Sequence, residues 1–327
     1  MFKAKCVRIA MVMALAMALT LTMGVAAQAE GYPDKPVSMI VTYSPGGATD
    51  FQARIVTMLA GDEKFLGQPI VIINKPGAGG KVGWDWFVTK GSKDGYTIAS
   101  YNVPHFIAQS IMFRTKYNVN TFEPVANWGA DPAVLIVPKD SPFNSAKDLV
   151  AFAKENPGKV TVSGAGMYVG HHIACLQLMK ASGAKLTYVP EKGGVPAMQS
   201  VIGAKVKAGF NNLSDAFRNK DRIKILAVAD LERHEFLPDV PTLKEQGFDV
   251  DNSSVNYRGV ILPKGAPKEA IDKLAAVMPK MFGAKKTVKK MKASGSPVKI
   301  MSREEVITMF KEREAYLKTL LKGLKKK

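Results

Sequence analysis

Cysteine is nearly absent from the chain. Two occur in 327 residues, Cys6 and Cys175, which is too few for a disulfide scaffold or a four-ligand structural zinc site. Acid is scarce beside base, with 28 Asp and Glu against 46 Lys and Arg and a formal net charge of +18. Past residue 29 no unbroken apolar run reaches the length of about 18 residues that a membrane-spanning helix needs. What is present is ordinary: 46% apolar and 23% charged residues exclude a disordered or collagen-like chain. The length suffices for a large core and favours two lobes over one.

The positive charge does not point to nucleic acid. Basic residues crowd towards the end, as Lys285, Lys286, Lys289, Lys290 and Lys292 and then Lys322, Lys325, Lys326 and Lys327. No basic motif interleaved with aromatics of the strand-binding kind accompanies them. They read as solvated helix faces and a basic tail, which still raise the local concentration of anions.

Residues 1–29 carry Lys3, Lys5 and Arg8 without an acid, then an apolar run from Ile9 to Val25, then Ala27-Gln28-Ala29. That pattern predicts a secretory signal peptide removed after Ala29. It places the mature protein in a bacterial periplasm, with Cys175 as its one thiol and no intrachain disulfide.

The remainder alternates strand and helix. Strands are predicted at Val37–Tyr43, Pro69–Asn74 and Tyr96–Tyr101, with helices over 49–59 and 82–90 and another begun by Pro104 at its first position. A second set has strands at 133–137, 160–163, 185–189, 206–210 and 223–228 and helices over 145–155, 169–181 and 195–202. Residues 233–247 read as irregular. A strand at 257–262 and helices over 267–282, 285–294 and 303–325 close the chain. In the last helix Val306, Phe310, Leu317, Leu320, Leu321 and Leu324 share one face, as core packing. The alternation predicts parallel sheets covered on both faces. It also predicts two crossings between lobes, near Gly129–Asp131 and Asn252–Val255. Residues 30–129 with 254–327 then form one lobe and 130–253 the other, with a ligand cleft between them.

Glycine-rich turns follow the strands. Ser44-Pro-Gly-Gly-Ala-Thr-Asp50, Pro76-Gly-Ala-Gly-Gly80, Ser163-Gly-Ala-Gly166 and Lys192-Gly-Gly194 are split between both halves, and Asn211-Asn212 follows a strand directly. Glycine admits close approach of a ligand to the backbone, and the helix that follows offers unpaired N–H groups to an anion. One such turn is equally an ordinary strand-to-helix connection; several together point to a shared anion cleft. Competing motifs fail. A phosphate-binding loop would need glycine where Lys75 stands and Ser or Thr where Val82 stands, and the dinucleotide fingerprint would need glycine at Val82. His171, His172 and Cys175 have helical spacing for a metal, yet no carboxylate joins them, and a buried thiol with a helix-start histidine is the simpler reading. His105 and His234 lack an acid or nucleophile partner. No catalytic constellation emerges, and neither a cofactor nor a metal is predicted.

At these turns the sequence resembles the substrate-binding proteins of tripartite tricarboxylate transporters, the Bug receptors, over essentially the whole mature chain. The carriers are Tyr32-Pro-Asp-Lys-Pro36, Ser44-Pro-Gly-Gly-Ala-Thr-Asp50, Gly67-Gln-Pro69, Asn74-Lys-Pro-Gly-Ala-Gly-Gly80 and Asp94-Gly-Tyr96, followed by Phe122-Glu-Pro-Val125, Pro157-Gly-Lys159, His172-Ile-Ala174, Val189-Pro-Glu-Lys-Gly193, Leu237-Pro-Asp-Val-Pro241 and Pro263-Lys-Gly-Ala-Pro267.

The resemblance implies a type II periplasmic binding protein fold, two α/β lobes closing on a small ligand. It implies a solute-binding protein that captures a small carboxylate and delivers it to the permease subunits of a tripartite transporter, acting as a monomer and not as an enzyme. By position, it implies ligand contacts at Tyr43, Ser44, Gly46, Gly47, Thr49 and Asp50, with Asn102 and His105 below. From the other lobe it implies Ser163, Gly164, Ala165, His172, Gly193 and Asn211, with Met167, Tyr168 and Phe210 shaping the pocket. Two departures stand out. The family commonly has Asp where Asn211 stands, and Trp84 and Trp86 replace smaller residues, either in the core or shaping the cleft. The alternatives are an exported α/β enzyme acting on a carboxylate or phosphate ester, a nucleotide-binding module using Gly77–Gly83, and a receptor for sensing.

Overall fold

The computed structural model describes residues 31–322. The predicted leader, residues 1–29, and Leu324 lie outside the described residues. Short apolar runs with turn residues at both ends become strands, and they assemble into two five-stranded sheets. In the first, β1 (Val37–Val41), β2 (Ile70–Asn74) and β3 (Thr97–Val103) pair in parallel in the order β2-β1-β3. Helices α1 (Ala48–Val56), α2 (Lys81–Lys90) and α3 (His105–Met112) follow these strands in turn. β4 (Phe122–Asp131) is continued, after Pro132 alone, by β5 (Ala133–Pro138) in the second sheet.

The second sheet repeats the plan. After α4 (Ala146–Glu155) come β6 (Val160–Gly164), α5 (Gly170–Ser182), β7 (Leu186–Pro190), α6 (Gly194–Ile202), β8 (Ala208–Asn212), α7 (Leu213–Arg218) and β9 (Ile223–Ala229). Their order is β7-β6-β8-β5-β9. β10 (Asn256–Pro263) then returns to the first sheet between β3 and β4, and α8 (Lys268–Phe282), α9 (Lys285–Ala293) and α10 (Arg303–Leu321) pack against it. α10 opens with a capping box in which Ser302 and Glu305 satisfy each other's backbone N–H groups.

Helices cover both faces of each sheet. On one face of the first, Met39, Val41 and Ile98 meet Ala53, Val56, Leu274 and Met278. On the other, Ile40, Ala99 and Tyr101 meet Trp84, Phe87, Phe106 and Phe310. Trp84 is fully buried there, its Nε1 donating to the Ser100 carbonyl at 3.0 Å; Trp86 is half-buried, with the Lys75 ammonium 4.1 Å from its ring centroid. Phe210 belongs to the core of the second lobe with Leu135 and Val162.

Three sequence expectations are corrected. The sheets are mixed, not parallel: β10 runs antiparallel to both β3 and β4, and β5 runs antiparallel to both β8 and β9. These are the strands next to the crossings, where the chain arrives from the other lobe and enters a sheet from the opposite end. β4 was not predicted at all. Glu123, Pro124, Asn127 and Asp131 break its apolar pattern, and its proline is tolerated because β4 is an edge strand. Pro104 caps α3 and is not its first helical residue.

Candidate functional site

The cleft runs between the ends of the two sheets where the glycine turns lie. Its floor is a buried polar network. Arg258 on β10 and Asp131 at the end of β4 form an ion pair of 2.7 Å, with neither side chain exposed to solvent. The Arg258 guanidinium also donates to Thr49 Oγ1 at 3.1 Å, Gln52 Oε1 at 3.3 Å and, across the cleft, Asn212 Oδ1 at 2.8 Å. Asp131 accepts from Gln52 Nε2 at 3.1 Å and from the Ser214 N–H on α7 at 3.1 Å. One charge pair thus ties the first sheet to the opening of α7 in the second lobe.

Above that floor sits a narrow cavity of about 20 Å³, room for one water-sized group or the oxygen of a carboxylate. Tyr43, Ser44, Gly47, Ala48, Thr49, His105 and Asn256 line it from one lobe, and Ala165, His171, Gly194, Val195, Asn212 and Asp215 from the other. α1 and α6 both begin here, after Gly47 and Gly193, and neither helix has a side-chain cap. Their first N–H groups therefore have no partner within the helix, and the positive ends of both helix dipoles meet at the cavity. The turns face one another closely: a Cβ built on Gly47 would stand 3.8 Å from Val195 Cγ2, and one built on Gly193 would stand 3.8 Å from Ser44 Oγ.

Side-chain donors complete the ring. Thr49 Oγ1 accepts twice, from Arg258 and from Asn102 Nδ2 at 2.9 Å, which leaves its hydrogen to donate. His171 Nδ1 accepts from the Ala165 N–H at 3.1 Å, and its buried Nε2 has no partner. Burial pushes the His171 pKa down to about 4 against the opposing pull of Asn212, and because Nδ1 accepts, its one proton at neutral pH lies on Nε2. Burial, with the nearby His171 and Arg258, also holds His105 well below its ordinary value. The charged groups around the cavity are already paired: Asp131 with Arg258, Asp215 with Arg218 and Asp50 with Arg54. The site therefore offers dipoles and neutral donors to an anion, with no unpaired cation among its lining residues.

The sequence-predicted residues fall into two groups. Tyr43, Ser44, Gly47, Thr49, His105 and Ala165 line the cavity. The others stand behind it. Asp50 turns away, accepting from the Gly46 N–H at 2.9 Å and from Arg54 and Asn74, and so braces the first turn. Burial pushes its carboxyl up, and these hydrogen bonds outweigh burial, leaving it below the usual carboxylate value. Asn102 lies under Thr49. Ser163 donates to the Ala197 carbonyl at 3.0 Å, and the Gly164 carbonyl accepts from the Glu191 N–H at 2.8 Å. His172 faces the ring of Tyr188 with centroids 4.3 Å apart, and its Nδ1 accepts from the Tyr168 N–H. Asn211 donates to the Gly194 carbonyl at 3.0 Å and supports the Gly193 turn. For three of these an immediate neighbour lines the cavity instead: His171, Gly194 and Asn212 in place of His172, Gly193 and Asn211. Asp131, Gln52, Asn256 and Arg258 were missed. An arginine inside the otherwise apolar strand Tyr257–Leu262 was the one available signal.

The two lobes touch nearby. The Gly77–Gly80 turn after β2 meets the Ser163–Gly166 turn after β6, so closely that a Cβ on Gly166 would lie 2.9 Å from Gly79 Cα. Gln109 Nε2 donates to the Met167 carbonyl across the same seam at 3.1 Å. Gly166 has φ 137°, a conformation a larger residue rarely adopts. Gly166→Ala is expected to hold the lobes apart: small-angle scattering should give a larger radius of gyration than for the unaltered protein under the same conditions. An identical radius would show that the seam yields.

Both buried histidines set a pH dependence. His171 and His172 are each pushed down to about 4 by burial, against about 6.5 in an unfolded chain. Below the unfolded value the unfolded state binds more protons, so stability falls as pH falls from about 6.5 towards 4. The thermal midpoint is expected to drop between pH 7 and pH 5; a flat or rising midpoint would contradict the burial of both rings.

The family described as tripartite tricarboxylate transporter family receptor matches residues 53–325. A protein from the tcbD-tcbE intergenic region of Pseudomonas sp. strain P51 is 31% identical, over 90% of this chain and 88% of its own. The protein BugT of Bordetella pertussis is 31% identical over 84% of this chain and 85% of its own. The structure of the periplasmic binding protein BugD superposes with a TM-score of 0.82 at 29% identity, covering 89% of this chain and 98% of that one.

Proposed function

Because the chain belongs to the tripartite tricarboxylate transporter receptor family, we propose that it captures a small organic acid in the periplasm by its carboxylate and carries it, without turnover, to the permease subunits of such a transporter. The observation that carries this reading is the pair of uncapped helix starts, α1 after Gly47 and α6 after Gly193, facing each other across a cavity whose charged neighbours are already paired. A carboxylate supplies the charge that those N–H groups lack a partner for. Each hydrogen bond to a charged group contributes roughly 1.5–3 kcal/mol. Three or four give about −8 kcal/mol, micromolar affinity, after the costs of association.

Donors on both lobes make binding and closure one event, since the acid meets its full set only in the closed form. The permease then recognises lobe surfaces that closure brings together. Leader removal after Ala29 and action as a single chain belong to the same proposal.

A thermal-shift screen of mono-, di- and tricarboxylates, amino acids, sugars and nucleotides tests it, because a ligand raises stability by mass action. The reading expects a rise with at least one carboxylate and unchanged mass of that acid after prolonged incubation. A rise with sugars or nucleotides alone, or conversion of the acid, would overturn it.

A further inference from the structure

Two titratable groups at the inner cavity stand apart from the paired charges around it. His105 opens α3 in the first lobe and His171 lies in the first turn of α5 in the second, and both line the cavity of about 20 Å³. Their rings are 2% and 1% exposed, and each has a buried nitrogen without a partner, Nδ1 of His105 and Nε2 of His171. The lobes bring them close: a Cβ built on Gly170, the residue before His171, would lie 3.3 Å from His105 Cε1.

The other titratable groups facing them are committed. Arg258 is paired with Asp131 at 2.7 Å. Asp215, on the second-lobe side of the cavity, accepts from Arg218 and from Asn212. Tyr43, whose ring meets that of His105 edge-on, donates its hydroxyl to the Gly79 carbonyl at 2.8 Å. On α5 itself His172 faces Tyr188, and the Cys175 thiol lies in the apolar core. Burial, then the rings' mutual repulsion and Arg258, keep His105 neutral. Burial and Arg258 do the same for His171, against the pull of Asn212 and Asp131.

An acid changes that balance. It brings a full negative charge into a narrow slot with no unpaired cation among its lining residues. Surroundings that penalise a lone imidazolium favour one beside a carboxylate, because the attraction is little screened there. The two rings repel each other's charge, so one proton serves both.

We propose that His105 and His171 take up one proton between them as an acid enters, so that this site binds a carboxylate together with a proton. The inference rests on the carboxylate reading above and adds the proton that accompanies the acid. Capture is then tighter in an acidic medium, because the bound state holds a proton that the unbound state does not.

The test is titration calorimetry of the mature protein with pyruvate, lactate, benzoate, oxalate and fumarate, acids largely ionised at both pH 5 and pH 7.5. Each is measured at both pH values in two buffers of different ionisation heat, which counts the protons taken up once the acid's own are subtracted. A carboxylate that strengthens one imidazole's hold on its proton about a hundredfold, the upper scale of one charge-assisted hydrogen bond, gives binding about tenfold tighter at pH 5 than at pH 7.5. Nearly one proton should be taken up at pH 5 and almost none at pH 7.5. Nitrogen NMR of the imidazoles then locates the proton among the four histidines of the chain. The acid should raise the titration of His105 or His171 and leave His172 and His234 unmoved. Equal affinity at both pH values without proton uptake overturns the inference, and so does uptake that leaves both cavity imidazoles neutral, with the proton on Asp215 or His172; in either case the receptor reading stands. If none of these acids binds at either pH, both fall.

Discussion

Asp131→Ala is expected to destabilise the protein by about 3–5 kcal/mol, the cost of leaving a buried charge without its partner. Arg258 and Asp131 are both fully buried. Removing the carboxylate strands that charge beside Thr49, Gln52 and Asn212, which offer only neutral oxygens. It also frees the Ser214 N–H at the opening of α7. Asp131→Leu combined with Arg258→Met is expected to recover most of the loss, because an apolar pair avoids desolvation altogether. Denaturant unfolding measures both. A single variant within about 1 kcal/mol of the unaltered protein would show that the pair carries little of the lobe junction. The double variant should still lose ligand affinity, since Thr49 and Asn212 lose the group that orients them.

The second large effect is on binding alone. Gly47→Val should weaken carboxylate affinity by about a hundredfold or more, equivalent to two charge-assisted hydrogen bonds. Gly47 has φ −72° and ψ 164°, an extended conformation open to any residue. A Cβ there would lie 3.5 Å from the Ser44 carbonyl oxygen and 3.8 Å from Val195 Cγ2, ordinary contacts. The two valine methyls would extend beyond it, into the gap between the facing turns. They would stand where an anion must sit to reach the first N–H groups of α1. Stability should change by only about 1 kcal/mol, since valine is a poor helix cap. Retained affinity would remove the first glycine turn from the site.

Much of the architecture was legible because it is written locally. Runs such as Ile70–Asn74 and Ala133–Val137 are short, apolar and bounded by turns, and the helices between them begin at recognisable caps such as Ser145 and Ser302. Strand direction at the crossings was not legible. Whether β5 and β10 run with or against their neighbours depends on the route from the other lobe, which no local pattern records. β4 escaped because Pro124, Asn127 and Asp131 interrupt it; Asn127 accepts from the Tyr101 hydroxyl at 2.7 Å within the first sheet, and Asp131 serves the lobe junction by accepting from Arg258 and from the Ser214 N–H.

At the site, the turns were readable and the phase within them was not. Successive residues on a helix differ by about 100°, so whether His171 or His172 looks into the cleft depends on where α5 begins to within one residue. Successive residues on a strand point to opposite faces, and the same uncertainty separates Asn211 from Asn212. Glycine marked both turns because their backbones approach across a gap, which composition records directly. The Arg258 network was hidden because its members lie far apart in the chain and meet only when both lobes have folded.

Where the acid's negative end rests is decided most directly by a crystal structure of the mature protein with a bound acid. The carboxylate oxygens should lie about 2.7–3.1 Å from main-chain nitrogens at the start of both α1 and α6, with His171 Nε2 donating beside them. An acid held by one lobe alone, or gripped by an arginine on the outer surface while those nitrogens bind only solvent, would contradict it.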